Sequence, residues 1–195
     1  DCKIMSIRSY YQTHMDVIAK SIPSDYNPTV SEFVDLLLNC KGKIFFTGVG
    51  KNGHVAAKAT STFSSIGVSC FFIDPVDSVH GDMGVINKED ILIAISKSGN
   101  TEELIHFLKH VEHKNCKIVS IHSNPKNKSL DYSSLDIDLR VSKEADHLNI
   151  VPTCSIAVFT IFLQSVACEI SQRKQLTLEQ FVKNHPGGSI GQTKI

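Results

Sequence analysis

The sequence predicts a doubly wound α/β domain: a parallel five-stranded sheet with flanking helices, a flavodoxin-like or Rossmann-like three-layer sandwich. Three observations carry this expectation. Short, near-continuous apolar runs such as Lys43-Ile44-Phe45-Phe46-Thr47 and Ile91-Leu92-Ile93-Ala94-Ile95 have the texture of strands covered on both faces. These runs alternate with helical stretches, which implies right-handed crossovers between parallel neighbours. Glycines and hydroxyl residues gather where the runs pass into helices, at the sheet edge where such folds bind ligands.

The elements follow in order. Ile4, Ile7, Tyr11, Met15 and Ile18 recur at helical spacing until Pro23 ends the run. Val30, Phe33, Val34, Leu37 and Leu38 mark a second helix, stopped by Gly42. A strand over 43–47 leads into a small-residue helix over 53–66, with Gly67 as its C-terminal stop. Strands are expected over 68–73 and 90–95, a helix over 101–113, and a strand over 117–122. Asn124-Pro125 makes a turn before a last strand over 135–141. Pro152 opens a long helix through 171 with Ile156, Phe159, Thr160, Leu163, Val166 and Ile170 on one side. A short helix over 177–184 precedes His185-Pro186-Gly187-Gly188. With no repeat, low-complexity tract or linker, residues 1–195 read as a single domain. Its expected parts are N-terminal helices over 1–42, a sheet core over 43–141 and C-terminal helices over 152–184.

Composition narrows the function. Twenty basic residues balance twenty acidic ones, so no overall field draws nucleic acid or an anionic membrane, and any bound anion must be held by local groups. No stretch is expected to reach the ~20 apolar residues of a membrane span. Residues 1–10 have no apolar run after a basic start and read as no signal peptide. The six cysteines, at 2, 40, 70, 116, 154 and 168, form no C-x-x-C pair of a zinc ribbon or thioredoxin-like site. Cys70, Cys116 and Cys168 fall in or beside apolar runs and are expected in the core, as free thiols of a reducing cytoplasm.

Three loops carry candidate chemistry. Gly48-Val49-Gly50-Lys51-Asn52-Gly53 lets a backbone approach a ligand and offers helix N-terminal amides to an anion. It is not a Walker A loop, because Phe45 stands where the first glycine belongs and Asn52 follows the lysine. It fits G-x-G-x-x-G, with Asp74 closing the next strand as a dinucleotide fold requires. On this loop alone, a dinucleotide site, a sugar-phosphate site and a structural turn stay open. The second loop, Ser96-Lys97-Ser98-Gly99-Asn100-Thr101, puts three hydroxyls at one helix start. A cap needs one hydroxyl; three suit a phosphomonoester dianion, since charge-assisted hydrogen bonds are the stronger kind. Acid–base groups come from Lys143-Glu144-Ala145-Asp146-His147, from His185, and from His80 in Val79-His80-Gly81-Asp82-Met83-Gly84. His80 and His185 alone do not make a metal site.

Together these segments resemble the sugar isomerase (SIS) domain family, and within it the D-arabinose 5-phosphate isomerases. The resemblance rests on G-V-G-K-N-G-H at 48–54, H-G-D-M-G at 80–84, S-K-S-G-N-T at 96–101, K-E-A at 143–145, P-T at 152–153 and H-P-G-G at 185–188, and it covers essentially the whole chain. It implies a substrate site at Gly50, Ser96, Ser98, Thr101 and His80, and catalysis by Lys51, Glu103, Glu144 and His185. Family members interconvert ribulose 5-phosphate and arabinose 5-phosphate for synthesis of the eight-carbon acid Kdo. They are usually homotetramers in which a histidine from a neighbouring subunit completes the site.

The chemistry expected is an aldose–ketose isomerisation through a cis-enediol that needs neither metal nor nicotinamide. Glu144 would be the base, its pKa raised by burial; His185 would open the sugar ring, Lys51 would face the enediolate, and Glu103 would assist. The alternative is a non-catalytic regulatory module that binds a sugar phosphate and uses only Ser96, Ser98 and Thr101. Three departures from the family pattern bear on sugar specificity and architecture. Many members carry a pair of CBS domains after H-P-G-G, where seven residues follow here; Asp146 to Ile150 replaces a Cys-Pro stretch; and Asn100 stands at an often acidic position.

Overall fold

The structure is a computed structural model that describes residues 5–23 and 27–192; Cys2 and Ile4 of the sequence reading lie outside the described residues. Helices α1 (Ile7–Ser21) and α2 (Pro28–Leu38) lead into β1 (Ile44–Gly48), α3 (Lys51–Ser65) and β2 (Cys70–Phe72). Then come β3 (Ile91–Ile95), α4 (Glu102–Val111), β4 (Lys117–His122) and β5 (Leu135–Asp138), and last α5 (Cys154–Arg173), α6 (Leu178–Asn184) and α7 (Gly188–Gly191). The strands pair in parallel in the order β2-β1-β3-β4-β5. Local chemistry sets the helix starts. Asn27 accepts hydrogen bonds from the Thr29 and Val30 amides while Pro28 fills the first turn, and Thr177 and Gln180 form a reciprocal capping box on α6.

Alternate strand residues serve opposite faces. Ile44, Phe46, Ile91, Ile93, Ile95, Val119 and Ile121 join residues of α2, α3 and α5 in one core. Phe45, Leu92, Ala94 and Ile118 join Leu104, Phe107, Leu108 and Val111 of α4 in the other. Every residue of β1 and β3 is buried, as expected of central parallel strands.

Several expectations change. The second strand shrinks to three residues because it lies at the sheet edge, with Phe71 and Phe72 exposed. The passage from β2 to β3, a loop around His80 in the sequence reading, contains short 3-10 turns, Asp77–His80 and Asp82–Val85. Contrary to the sequence reading, α5 is long and apolar enough to cross a membrane by length and composition. It packs on α3 and α1, and Val158, Phe159, Leu163, Val166 and Ile170 are buried in the core. Cys168 is exposed on α5 and is no core residue; Cys40, Cys70, Cys116, Cys154 and Cys168 are all free thiols. Burial pushes the Cys116 thiol up to about 11.

Candidate active site at the strand switch point

The strand order turns at β1, so the crevice beyond the carboxyl ends of β1 and β3 is the place for a ligand. Gly48 pairs with Ile95, which brings the two loops that follow these strands out side by side. The first loop turns at Gly50, at φ 58° and ψ −125°, a conformation open to glycine, and α3 begins at once with no side-chain cap. Gly48 and Gly53 meet closely: a Cβ on Gly53 would stand 2.8 Å from the Gly48 carbonyl oxygen.

The second loop is braced from several sides. Ser96 is buried, and its Oγ accepts the Gly99 amide at 3.1 Å and lies 3.2 Å from Thr101 Oγ1. Ser98 Oγ accepts the Asn100 amide at 3.1 Å. From the exit of β4, the Ser123 amide donates to the Lys97 carbonyl and Asn124 Nδ2 to the Ser98 carbonyl, each at 3.0 Å. Thr101 holds the N-cap position of α4, yet its side chain caps nothing. The helix start is left without a side-chain partner while hydroxyls face each other across the turn, an arrangement that suits a multivalent anion.

Glu144 lies beneath this loop at the start of α5. Its side chain is wholly enclosed. Oε1 accepts Lys97 Nζ and Ser155 Oγ, each at 2.6 Å, and Oε2 accepts the Thr153 amide at 2.8 Å, the Ser155 amide at 3.1 Å and Thr153 Oγ1 at 3.2 Å. Burial by itself would raise the carboxyl pKa; Lys97, Ser155 and the two amides outweigh it and hold it down at about 2. The expected raised carboxylate is therefore corrected: five donors fix Glu144 as an anion at the α5 N-terminus.

The structure gathers some predicted residues and separates others. Ser96, Ser98 and Thr101 line a cleft of about 360 Å³ together with Asn52, Lys97, Ser123, Asn124 and Val141. Gly50 caps the neighbouring helix, and Lys51, the first residue of α3, is exposed and is not part of the cleft lining. His80 and Glu103 share a second surface cleft of about 710 Å³, which also takes in Asn100, His106, Lys128 and Tyr132. His185 is remote. Its ring stacks on Phe181 with centroids 4.1 Å apart, and the preceding Asn184 bonds the Ser65 carbonyl at the C-terminal end of α3. The 15 residues of α3 put about 22 Å between that end and the helix start beside the cleft.

Asp74 gives the dinucleotide reading no support: its Oδ1 accepts the Val76 and Asp77 amides as a local turn. Sequence reasoning missed Lys97, Asn52, Thr153 and Ser155. The available signals were a lysine set between the two serines and a Thr-x-Ser start to a helix.

A parallel α/β domain with hydroxyls and uncapped helix amides at its switch point offers the kind of donors that suit an anion. The chain belongs to the SIS domain family, whose model matches residues 37–169. It is 35% identical over 157 residues to the arabinose 5-phosphate isomerase KdsD of Pseudomonas aeruginosa, covering 80% of this chain and 48% of that protein. The KdsD of Francisella tularensis is 37% identical over 155 residues, covering 80% of this chain and 47% of that protein. The chain thus spans about half the length of the curated relatives it matches. The solved structure of c3406 of E. coli CFT073, in complex with arabinose 5-phosphate, aligns with TM-score 0.88 and 30% identity, over 92% of this chain and 95% of that one.

Proposed function

We propose that the chain is an aldose–ketose isomerase of sugar phosphates that interconverts D-arabinose 5-phosphate and D-ribulose 5-phosphate. The observation that carries this reading is the Ser96–Thr101 cradle at the uncapped start of α4. The kinship with the KdsD isomerases and with c3406, solved with arabinose 5-phosphate bound, supports the choice of sugar. A phosphoryl dianion seats on Ser96, Ser98, Thr101 and nearby amides, with Gly50 at the rim, and the sugar chain extends along the cleft. The phosphate grip turns the proton transfer into a reaction of held partners.

The proton carrier comes from another copy. His185 lies at the wrong end of α3 to serve its own cleft, so a neighbouring subunit of a homotetramer delivers it. A histidine can give and take a proton and suits both ring opening and the transfer of the C2 proton to C1. His80 and Glu103 line the second cleft and Lys51 opens α3, and each takes a supporting role in this reading. Glu144, held as an anion by five donors, acts through the groups it positions. The reaction needs no cofactor, and a cytoplasmic enzyme of free thiols fits the pathway toward Kdo.

Incubation with a panel of pentose and hexose phosphates in deuterated water, followed by NMR, tests the reading. Deuterium entering at C2 of arabinose 5-phosphate together with formation of ribulose 5-phosphate is expected. Tight binding of sugar phosphates with no exchange would make the chain a regulatory module.

A further inference from the structure

Among the described residues lining the phosphate cleft, Lys97 is the one charged side chain. Its ammonium is not free to wander. Nζ lies 2.6 Å from Glu144 Oε1, and the carboxylate is itself locked by Thr153 and Ser155 at the start of α5. The lysine side chain remains 39% exposed, and Glu144 takes one of its three N–H donors. An ion pair buried on one side and open to a cleft on the other fixes a donor in place before any ligand arrives, the arrangement that favours electrostatic stabilisation of developing charge.

The direction of the side chain tells which end of a substrate it meets. Ser96 and Ser98, on either side of Lys97, belong to the proposed phosphate cradle, while the four-carbon stem of Lys97 ends in an ammonium tied to Glu144 and to neither serine. In a pentose 5-phosphate the carbonyl lies at the far end of the chain from the phosphoryl group. Asn52 gives an independent mark of a sugar in the cleft. It lines the same cleft, and its buried Oδ1 has no hydrogen-bond partner among the described residues. A phosphoryl dianion carries only acceptors, so a buried acceptor in the cleft calls for a hydroxyl of the sugar.

Resting on the isomerase reading, we propose that Lys97 is a catalytic residue that donates a hydrogen bond to the substrate carbonyl oxygen, and that Glu144 is its positioning residue. As the base removes the C2 proton, the C–H electron pair becomes the C1–C2 π bond and the carbonyl π pair moves onto O1. Lys97 stabilises that oxyanion and keeps its own proton. The proton on the base then returns to C1 while the O2–H proton passes to O1, leaving the ketone at C2.

The experiment compares the parent with Lys97→Met, Lys97→Arg, Glu144→Gln and the double variant Lys97→Met/Glu144→Gln. It reads kcat and KM for arabinose 5-phosphate, and inorganic phosphate binding by calorimetry. Removing one preorganised donor is expected to lower kcat about a hundredfold to a thousandfold, while KM and phosphate affinity move less than about threefold. Lys97→Arg regains part of the rate. Glu144→Gln lowers kcat with little change in KM, and the double variant is no slower than Lys97→Met, because the two residues act as one unit. If Lys97→Met fails to fold around an unpaired carboxylate, the double variant, with no buried charge left, carries the test. A kcat within about threefold of the parent overturns the assignment, and so does a loss confined to phosphate binding. A parent that exchanges no C2 proton with any sugar phosphate sinks the isomerase reading and this role with it.

Discussion

Ser96 Oγ and Thr101 Oγ1 lie 3.2 Å apart, one at the end of β3 and the other at the start of α4, with neither used to cap the helix. One hydroxyl donates to the other, so the pair can swing together to serve an anionic acceptor. Hydrogen bonds to a charged group contribute about 1.5–3 kcal/mol each, so Ser96→Ala is expected to raise KM for a sugar phosphate about tenfold or more, with a smaller change in kcat. Steady-state kinetics and phosphate calorimetry read the effect. An unchanged KM would remove the cradle from the binding site.

Glu144 links the site to the stability of the fold. Folding lowers its carboxyl pKa from the ordinary 4.5 to about 2, so the stability it confers is fully present above pH 4.5 and is lost as the pH falls through 2. A shift of that size corresponds to on the order of 3 kcal/mol. Urea denaturation between about pH 4.5 and 2 should show the parent losing stability more steeply than Glu144→Gln, which lacks the titrating group. Parallel pH profiles would mean that folding does not lower the Glu144 carboxyl pKa.

Gly99 shapes the loop that carries the serines. At φ +63°, a Cβ there would fall 2.2 Å from Asn127 Oδ1. Asn127 cannot readily step aside, because Oδ1 accepts the Ser129 amide at 3.0 Å and Nδ2 donates to the Asn124 carbonyl at 2.6 Å. Gly99→Ala is expected to cost about 2–4 kcal/mol of stability, from the left-handed backbone and the clash together, and to raise KM as the loop shifts. A urea midpoint equal to that of the parent would contradict the packing described.

What the sequence made legible depended on how locally each feature is determined. β1 and β3 could be read because both faces are buried and every residue is apolar or small. β2 could not be bounded, since an edge strand with two exposed phenylalanines looks like a longer apolar run. The 3-10 turns around His80 leave no periodic signal in four-residue segments. Ser96, Ser98 and Thr101 could be read as one cluster of hydroxyls because the pattern lies within six consecutive residues. The partnership of Lys97 with Glu144 joins residues 47 apart, and only the tertiary fold brings them together. The lowered carboxyl pKa was hidden for the same reason: its donors come from the chain nine and eleven residues beyond Glu144.

The remoteness of His185 provides the test of a shared site. Asn184 and Lys174 bond the Ser65 and Gly67 carbonyls, so the segment bearing His185 is fastened to the far end of α3 in its own chain. On the proposed reading a histidine so placed would serve the cleft of another copy, and in a closed symmetric oligomer every cleft would then receive one. Lys97→Met and His185→Ala should each be nearly inactive alone. When they are unfolded and refolded together, a site that joins the intact lysine of one chain to the intact histidine of its neighbour arises at about a quarter of positions, and activity should return to about that fraction of the parent. Refolding each variant separately before mixing supplies the control. Mixed oligomers with no recovered activity would place lysine and histidine in the service of the same chain, against the 15-residue length of α3 that separates them.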